Sequence, residues 1–219
     1  MGAGSNVAWT AALLAWVLAV PLWFVSKFLV VIAHEGGHAL LMVLFFRSVK
    51  SVEIGRDGGG ATTPASELPW LADIFATLAG YLGPSMFGLA GVWMLRQGYV
   101  EAVLWASMAF LVVMLFAVRG FLGWLLVPGL IVLIWMIATR AEGPVQTLYT
   151  HMWVWLLLIG GVQRMLGFVL TRNWTVKGND TAVLQSRTLI PSEIWSLFFL
   201  AGTIAALAYG GGMLLRSAV

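Results

Sequence analysis

The chain has 219 residues, 61% of them hydrophobic and only 10% charged, with a mean hydropathy of +0.94. Soluble domains carry about 25% charged residues, so this composition excludes a water-facing globular protein and requires a polytopic membrane protein. The net charge is +3, but the basic residues are scattered at the ends of apolar runs, which argues against a nucleic-acid surface and makes them topology determinants.

There are no cysteines, so disulfides, thiolate metal ligands and thiol catalysis drop out. His, Asp and Glu remain as the strong metal ligands. The twelve Trp suit rings placed at the membrane interfaces. With no internal repeat and no long linker, residues 1–219 read as a single domain: an all-α polytopic membrane protein of about seven membrane-spanning helices.

Met1 to Asn6 is short and uncharged apart from the amino terminus, and 7–25 is apolar. Neither a basic leader nor a small-residue cleavage site is clear, so the first span is expected to be retained. Pro21, Ser26 and Lys27 mark a break before the second span. That span reads FLVVIAHEGGHALLMVLFF over 28–46, and two of the three histidines lie in it.

On a helix of about 3.6 residues per turn, His34 and His38 fall on one face, one turn apart. His-Glu-x-x-His on a helix is the zinc pattern in which both histidines hold the metal and the glutamate, Glu35, is general base towards water. Ionisable groups in a bilayer cost about 2.5–3.5 kcal/mol each on insertion scales. A bound dication compensates all three side chains together. The bland alternative is a hydrogen-bonded polar face inside a helix bundle. Gly36 and Gly37 weaken the helix by up to about 1 kcal/mol each relative to alanine, so their use is steric. They either admit a neighbouring helix or line the path of an extended substrate.

Residues 48–54 alternate polar and apolar, 57–60 form a Gly-rich turn, and 61–64 start a return strand. This hairpin-like loop after the metal helix either lines the site, where its edge could pair with an unwound substrate, or is a plain surface loop. The third span, 71–95, holds Gly80-Tyr81-Leu82-Gly83-Pro84-Ser85, a kinkable, closely approachable segment, and Gly83 and Pro84 join the candidates for substrate lining. The fourth and fifth spans are 100–118 and 121–138, with Arg119 an interfacial charge between them and Pro128-Gly129 a kink. A polar loop, 139–148, leads to the sixth span, 149–170, where His151 reads as interfacial. Residues 171–192 are polar, and Asn179-Asp180 caps a short helix before the last span, 193–215.

Seven spans place Arg47, Lys50, Arg56, Arg119, Arg172, Lys177 and Arg187 on one side and Lys27, Arg96, Arg140 and Arg216 on the other. The positive-inside rule then puts the amino terminus, the hairpin loop and the Asp180 segment in the cytoplasm.

The His-Glu-Gly-Gly-His span, the basic strand-like stretch after it and the Gly-Tyr-Leu-Gly-Pro-Ser-Met-Phe-Gly of the next span resemble the site-2 protease family. These are intramembrane zinc metalloproteases, and the chain looks like a compact bacterial branch without PDZ or CBS domains. The resemblance implies zinc on His34 and His38, Glu35 activating water, and an aspartate from a later segment as third ligand. The usual Asn-Pro…Asp-Gly motif is absent, and residues 119–123 hold no acid. In the compact branch, an aspartate in a small-residue turn before the last span looks like the substitute, which here is Asp180. Glu193, Asp73 and His151 are the alternatives under the rule of three ligands plus water.

The implied activity is hydrolysis of peptide bonds in or near membrane-spanning segments of substrate proteins, of the regulated intramembrane type, with Zn2+ as cofactor. The implied partners are a membrane-spanning protein substrate and the lipid bilayer, with no nucleic acid and the oligomeric state open. The implied location is a bacterial plasma membrane. The rival reading is a non-proteolytic protein that binds a metal or a partner, motivated by the missing aspartate motif; a transporter is weaker, because the spans hold so few acids.

Overall fold

The computed structural model describes residues 3–216 except 177, with side chains from residue 6 onward. Met1, Gly2 and Lys177, the last counted above among the basic loop residues, lie outside the described residues. Among the described residues eight α-helices dominate: α1 (Ala3–Ala19), α2 (Trp23–Leu44), α3 (Trp70–Arg96), α4 (Val100–Ala117), α5 (Phe121–Arg140), α6 (Gly143–Leu170), α7 (Asp180–Thr188) and α8 (Ser192–Arg216). Among the described residues, α2, α3, α4, α5, α6 and α8 are long and apolar enough to cross a membrane. The expected first span, α1, is apolar but has 17 residues, short of those six. The chain is an integral membrane protein.

The span boundaries differ from the sequence reading where local signals are weak. α2 starts at Trp23, because Val20 to Leu22 absorb the break and Pro21 sits in that turn. α6 starts at Gly143, with Pro144 in its first turn, where proline needs no amide hydrogen; residues 143–148 are therefore helical instead of loop. Pro84 and Pro128 lie inside α3 and α5, which continue through them.

Small residues set the close helix contacts. Ala8, Ala11, Ala15 and Ala19 are buried on one face of α1, which packs along α6. α2 and α3 run antiparallel and meet at Gly37 and Gly83: a Cβ on Gly83 would stand 2.9 Å from the Ala33 carbonyl oxygen and 3.3 Å from Gly37 Cα. α6 lies along α3 through Gly88, which rests on Leu158, and Gly91, which rests on Val154. α4 and α5 are less enclosed and turn Val113, Phe116, Trp124 and Leu125 outwards, as lipid-facing surfaces do.

The loop after α2 is a strand pair: β1 (Val49–Ile54) and β2 (Gly60–Pro64) run antiparallel, with Val52 opposite Thr62 and Ile54 opposite Gly60. Val52 and Ile54 point into the protein while Glu53 faces out, the period of two that a half-buried strand requires. A third strand, β3 (Val118–Arg119), pairs in parallel with β1, giving the order β2-β1-β3. Arg119, expected as a simple interfacial charge, is therefore part of a sheet. A two-residue strand carries no periodicity, so the sequence offered no signal for it.

The hairpin folds back along α2 instead of standing away from it. At its tip, Lys27 Nζ donates to the Asp57 carbonyl oxygen at 2.7 Å, and Arg164 Nη1 donates to that of Gly58 at 3.2 Å. Lys27 and the tip, which the charge count had put on opposite sides, thus meet.

Candidate metal centre

Residues 30–39 of α2 are all buried, including His34, Glu35 and His38. Spacing by four puts both imidazoles on one face, with ring centroids 4.9 Å apart and Nε2 atoms 3.3 Å apart. His38 is oriented by a bond 2.8 Å long between its Nδ1 and the Ala76 carbonyl oxygen of α3. That carbonyl can only accept, so Nδ1 carries the hydrogen and Nε2 keeps its lone pair for the centre. His34 is packed edge-on against the Tyr81 ring, at 4.7 Å between centroids.

Asp180 arrives from α7. Asn179 caps that helix, its side-chain oxygen accepting from the Ala182 N–H at 2.8 Å and the Thr181 hydroxyl at 2.9 Å. Asp180 is thereby fixed as the first helical residue, and its Oδ2 lies 3.2 Å from His34 Nε2 and 3.3 Å from His38 Nε2. Burial works against its charge, but wherever the imidazoles also carry a proton on Nε2, in the absence of a metal, they outweigh burial and hold the carboxyl well below the ordinary carboxylate range. Gly80 makes the meeting sterically feasible: a Cβ there would overlap His38 Nε2 and stand 2.9 Å from Asp180 Oδ2.

α7 is docked by its own residues. Leu184 is fully buried in a cluster with Tyr81, Met165, Phe168 and Phe199. Arg187 Nε bonds Asp73 Oδ2 at 2.7 Å, and Trp70 Nε1 bonds the Arg187 carbonyl oxygen at 2.9 Å, tying α7 to the start of α3.

His34, His38 and Asp180 are the group among the described residues that could hold a metal ion. The three alternative ligands, Asp73, His151 and Glu193, lie elsewhere. Asp73 is paired with Arg187, His151 Nδ1 bonds the Thr147 carbonyl oxygen one turn back at 2.8 Å, and Glu193 is exposed at the start of α8.

Glu35 is 1% exposed, and its Oε1 is 3.9 Å from His34 Nε2. The hairpin reaches it: the Thr62 hydroxyl, 3.1 Å from the Glu35 carbonyl oxygen, donates to Glu35 Oε2 at 2.8 Å. Gly60 lies against the same carboxylate, where a Cβ would overlap Oε1. Neither residue stood out in the sequence; the signal was only that a hairpin follows the metal helix.

The glycine candidates and Pro84 are buried against neighbouring helices. A Cβ on Gly36 would overlap the Phe110 ring, and one on Gly37 would overlap the Ala79 carbonyl. Pro84 lies beside Gly161 of α6. Helix packing is the use on view for all four. Arg164 lies within α6 and not at a span end, so the pattern of terminal basic residues gives no signal for it.

The model of the family described as Peptidase M50B-like matches residues 7–210. No curated protein matches the chain, and neither does any solved structure. A match over nearly the whole chain, together with a buried His-His-Asp group in a helical membrane bundle, places this chain in the Peptidase M50B-like family, the membrane metallopeptidases of the site-2 protease type.

Proposed function

We propose that this protein is an intramembrane zinc endopeptidase whose metal is held by His34, His38 and Asp180 and whose general base is Glu35. The observation that carries the proposal is the triangle formed by His34 Nε2, His38 Nε2 and Asp180 Oδ2, with sides of 3.2, 3.3 and 3.3 Å. Donor atoms ~2.0–2.1 Å from a tetrahedral zinc stand ~3.3–3.4 Å apart, so the three fit three corners and leave the fourth for water or substrate. The donor set, two imidazoles and a carboxylate without thiolate, is that of a catalytic site. Bound zinc supplies a Lewis acid that polarises a peptide carbonyl and lowers the pKa of water.

Glu35 takes a proton from the attacking water as its oxygen bonds to the carbonyl carbon. It then returns that proton to the amide nitrogen as the C–N bond breaks. Thr62 holds the carboxylate oriented between those two transfers. The substrate is a membrane-spanning segment that must unwind locally, because a helix keeps its carbonyls bonded and covered. Among the described residues, no further strand lies beside the outer edge of β2, and β2 runs past Glu35, so an unwound segment can add to it as an extra strand. The setting is a bacterial plasma membrane, with the amino terminus and the base of the hairpin cytoplasmic, and the role is regulated release of membrane-held proteins. The non-proteolytic alternative rests on the missing in-span aspartate motif; the approach of Asp180 on α7 to both histidines supports the proteolytic reading instead.

Wild type and Glu35→Gln are tested on a membrane-spanning reporter in reconstituted membranes, with zinc measured per chain. The expected result is about one zinc in both, with cleavage lost in Glu35→Gln by about 10³-fold or more. Equal cleavage by the two proteins would remove Glu35 from its role. Zinc retained by both His34→Ala and Asp180→Ala would remove the site.

A further inference from the structure

Beside the metal centre lies an open cavity of about 440 Å³ whose walls include Lys27 of α2, Asp57 to Gly59 of the hairpin tip, Tyr81 of α3, and Gln163 and Arg164 of α6. Two cations and one carboxylate, Asp57, are among its lining; Asp57 is already engaged by the Gly59 N–H at 3.0 Å, and the charge of Arg164 is felt by the buried Glu35 carboxylate beyond the wall. Lys27 and Arg164 donate only to backbone carbonyls at the tip, and among the described residues no carboxylate comes within 4.0 Å of either. Arg164 is the less satisfied of the two. Its Nε is buried without a hydrogen-bond partner, and its guanidinium stacks over the Tyr81 ring at 5.9 Å. An arginine two turns inside the end of a membrane helix is costly, and five N–H donors in a fixed fork suit a carboxylate better than one carbonyl does.

The cavity shares two walls with the centre. Tyr81 lines the cavity, and its ring also packs against His34, 4.7 Å between centroids. Gly58 and Gly59 line it as well, and the next residue, Gly60, rests on the Glu35 carboxylate. We propose that this cavity is a specificity subsite in which Arg164, assisted by Lys27, receives an acidic side chain of the substrate's membrane segment. The inference rests on the proteolytic reading above and names the substrate class for it. A segment laid along β2 leaves the centre towards the hairpin tip, and therefore towards Arg164. The steps from guanidinium to Tyr81 ring and from that ring to His34 are 5.9 and 4.7 Å. An extended chain advances about 3.3 Å per residue, which puts the acidic residue two or three positions from the scissile bond. The Asp or Glu of such a segment carries its own desolvation cost in the bilayer, so enzyme and substrate each complete the other's half-compensated charge.

The probes are membrane-spanning Leu/Ala peptides with a central Gly-Gly pair and a single Glu at each position within four residues of it, each with a Gln counterpart. Binding is measured on Glu35→Gln protein in nanodiscs of zwitterionic lipid, where no cleavage intervenes, and cleavage is measured on wild type. The expected result is at least a tenfold preference for Glu over Gln at one or two positions, in both assays. Adding Arg164→Gln collapses the preference to within twofold with zinc content unchanged; Arg164→Lys keeps part of it, and Arg164→Glu shifts preference to a Lys-bearing peptide. Lys27→Gln, which leaves α6 intact, lowers the preference and serves where Arg164 variants do not fold. An equal preference in wild type and Arg164→Gln, or none at any position, overturns the subsite. Loss of the preference on adding anionic lipid, with Arg164-dependent lipid binding, reassigns the cavity to a phosphate headgroup and overturns it too. Acid-selective binding without cleavage of any peptide would instead sink the protease reading and leave the subsite standing.

Discussion

Thr62 is the residue whose role is clearest once the chain is folded. Its hydroxyl donates to a buried carboxylate at 2.8 Å, and hydrogen bonds to charged groups are worth about 1.5–3 kcal/mol. Thr62→Val keeps the shape and removes the donor. We expect kcat to fall about 10- to 100-fold with zinc content unchanged, and Thr62→Ser to restore most of it, read by single-turnover cleavage beside metal analysis. An unaltered rate in Thr62→Val would show that the hairpin does not orient Glu35. His34, Glu35 and His38 were legible from spacing alone, because a helix fixes which residues share a face. Asp180 was legible only as what a resemblance implied. Thr62, Gly60 and Gly80 were not legible as neighbours of the site, because each meets it through a contact spanning tens of positions in sequence, and Arg164 comes beside it only across Tyr81.

At the scale of elements, the site is assembled by two pieces that cross no membrane: the β1–β2 hairpin and α7. α7 has nine residues, too few to hold a helix by itself in water, so its packing must hold it. Leu184 supplies that packing, and the Arg187–Asp73 pair, half exposed on the arginine side, adds little. Leu184→Ala should cost about 2–5 kcal/mol locally and loosen Asp180 from the histidines. The expected outcome is at least a tenfold loss of zinc affinity, with α7 amides exchanging faster and those of α2 unchanged; Arg187→Ala should move both by much less. Retained affinity in Leu184→Ala would mean that Asp180 reaches the centre without α7 docking. The hairpin itself was legible from its period of two and its Gly-rich turn. That it folds back along α2 was not, since nothing in an alternating strand says which neighbour it will lie against.

At the scale of the whole molecule, composition makes a membrane protein, and its connectivity makes a checkable topology. Residues 66 and 171 should share one side and 97 and 142 the other, since single helices of spanning length separate them. The chain has no cysteine, so single cysteines at Ser66, Gln97, Glu142 and Thr171 can be read one at a time by impermeant labelling of intact cells. Ser66 and Thr171 should be protected and Gln97 and Glu142 labelled, as the basic loops require. The reverse pattern would invert the orientation. The short α1 also belongs to this scale: 17 residues with an alanine face packed on α6 are held by the bundle more than by their own length.

The sequence by itself determined what is local or compositional. Hydropathy set the spans, the four-residue spacing set the paired imidazoles, and alternation set the hairpin. Each of those signals lies within one element, and no partner is needed to produce it. Tertiary structure decided which carboxylate comes to the histidines, what holds Glu35, and which carbonyl an arginine within a membrane helix reaches. Those depend on glycine-mediated helix approach at Gly37, Gly80 and Gly83 and on the docking of α7. A glycine in a sequence shows only that something comes close, whereas the fold determines what does.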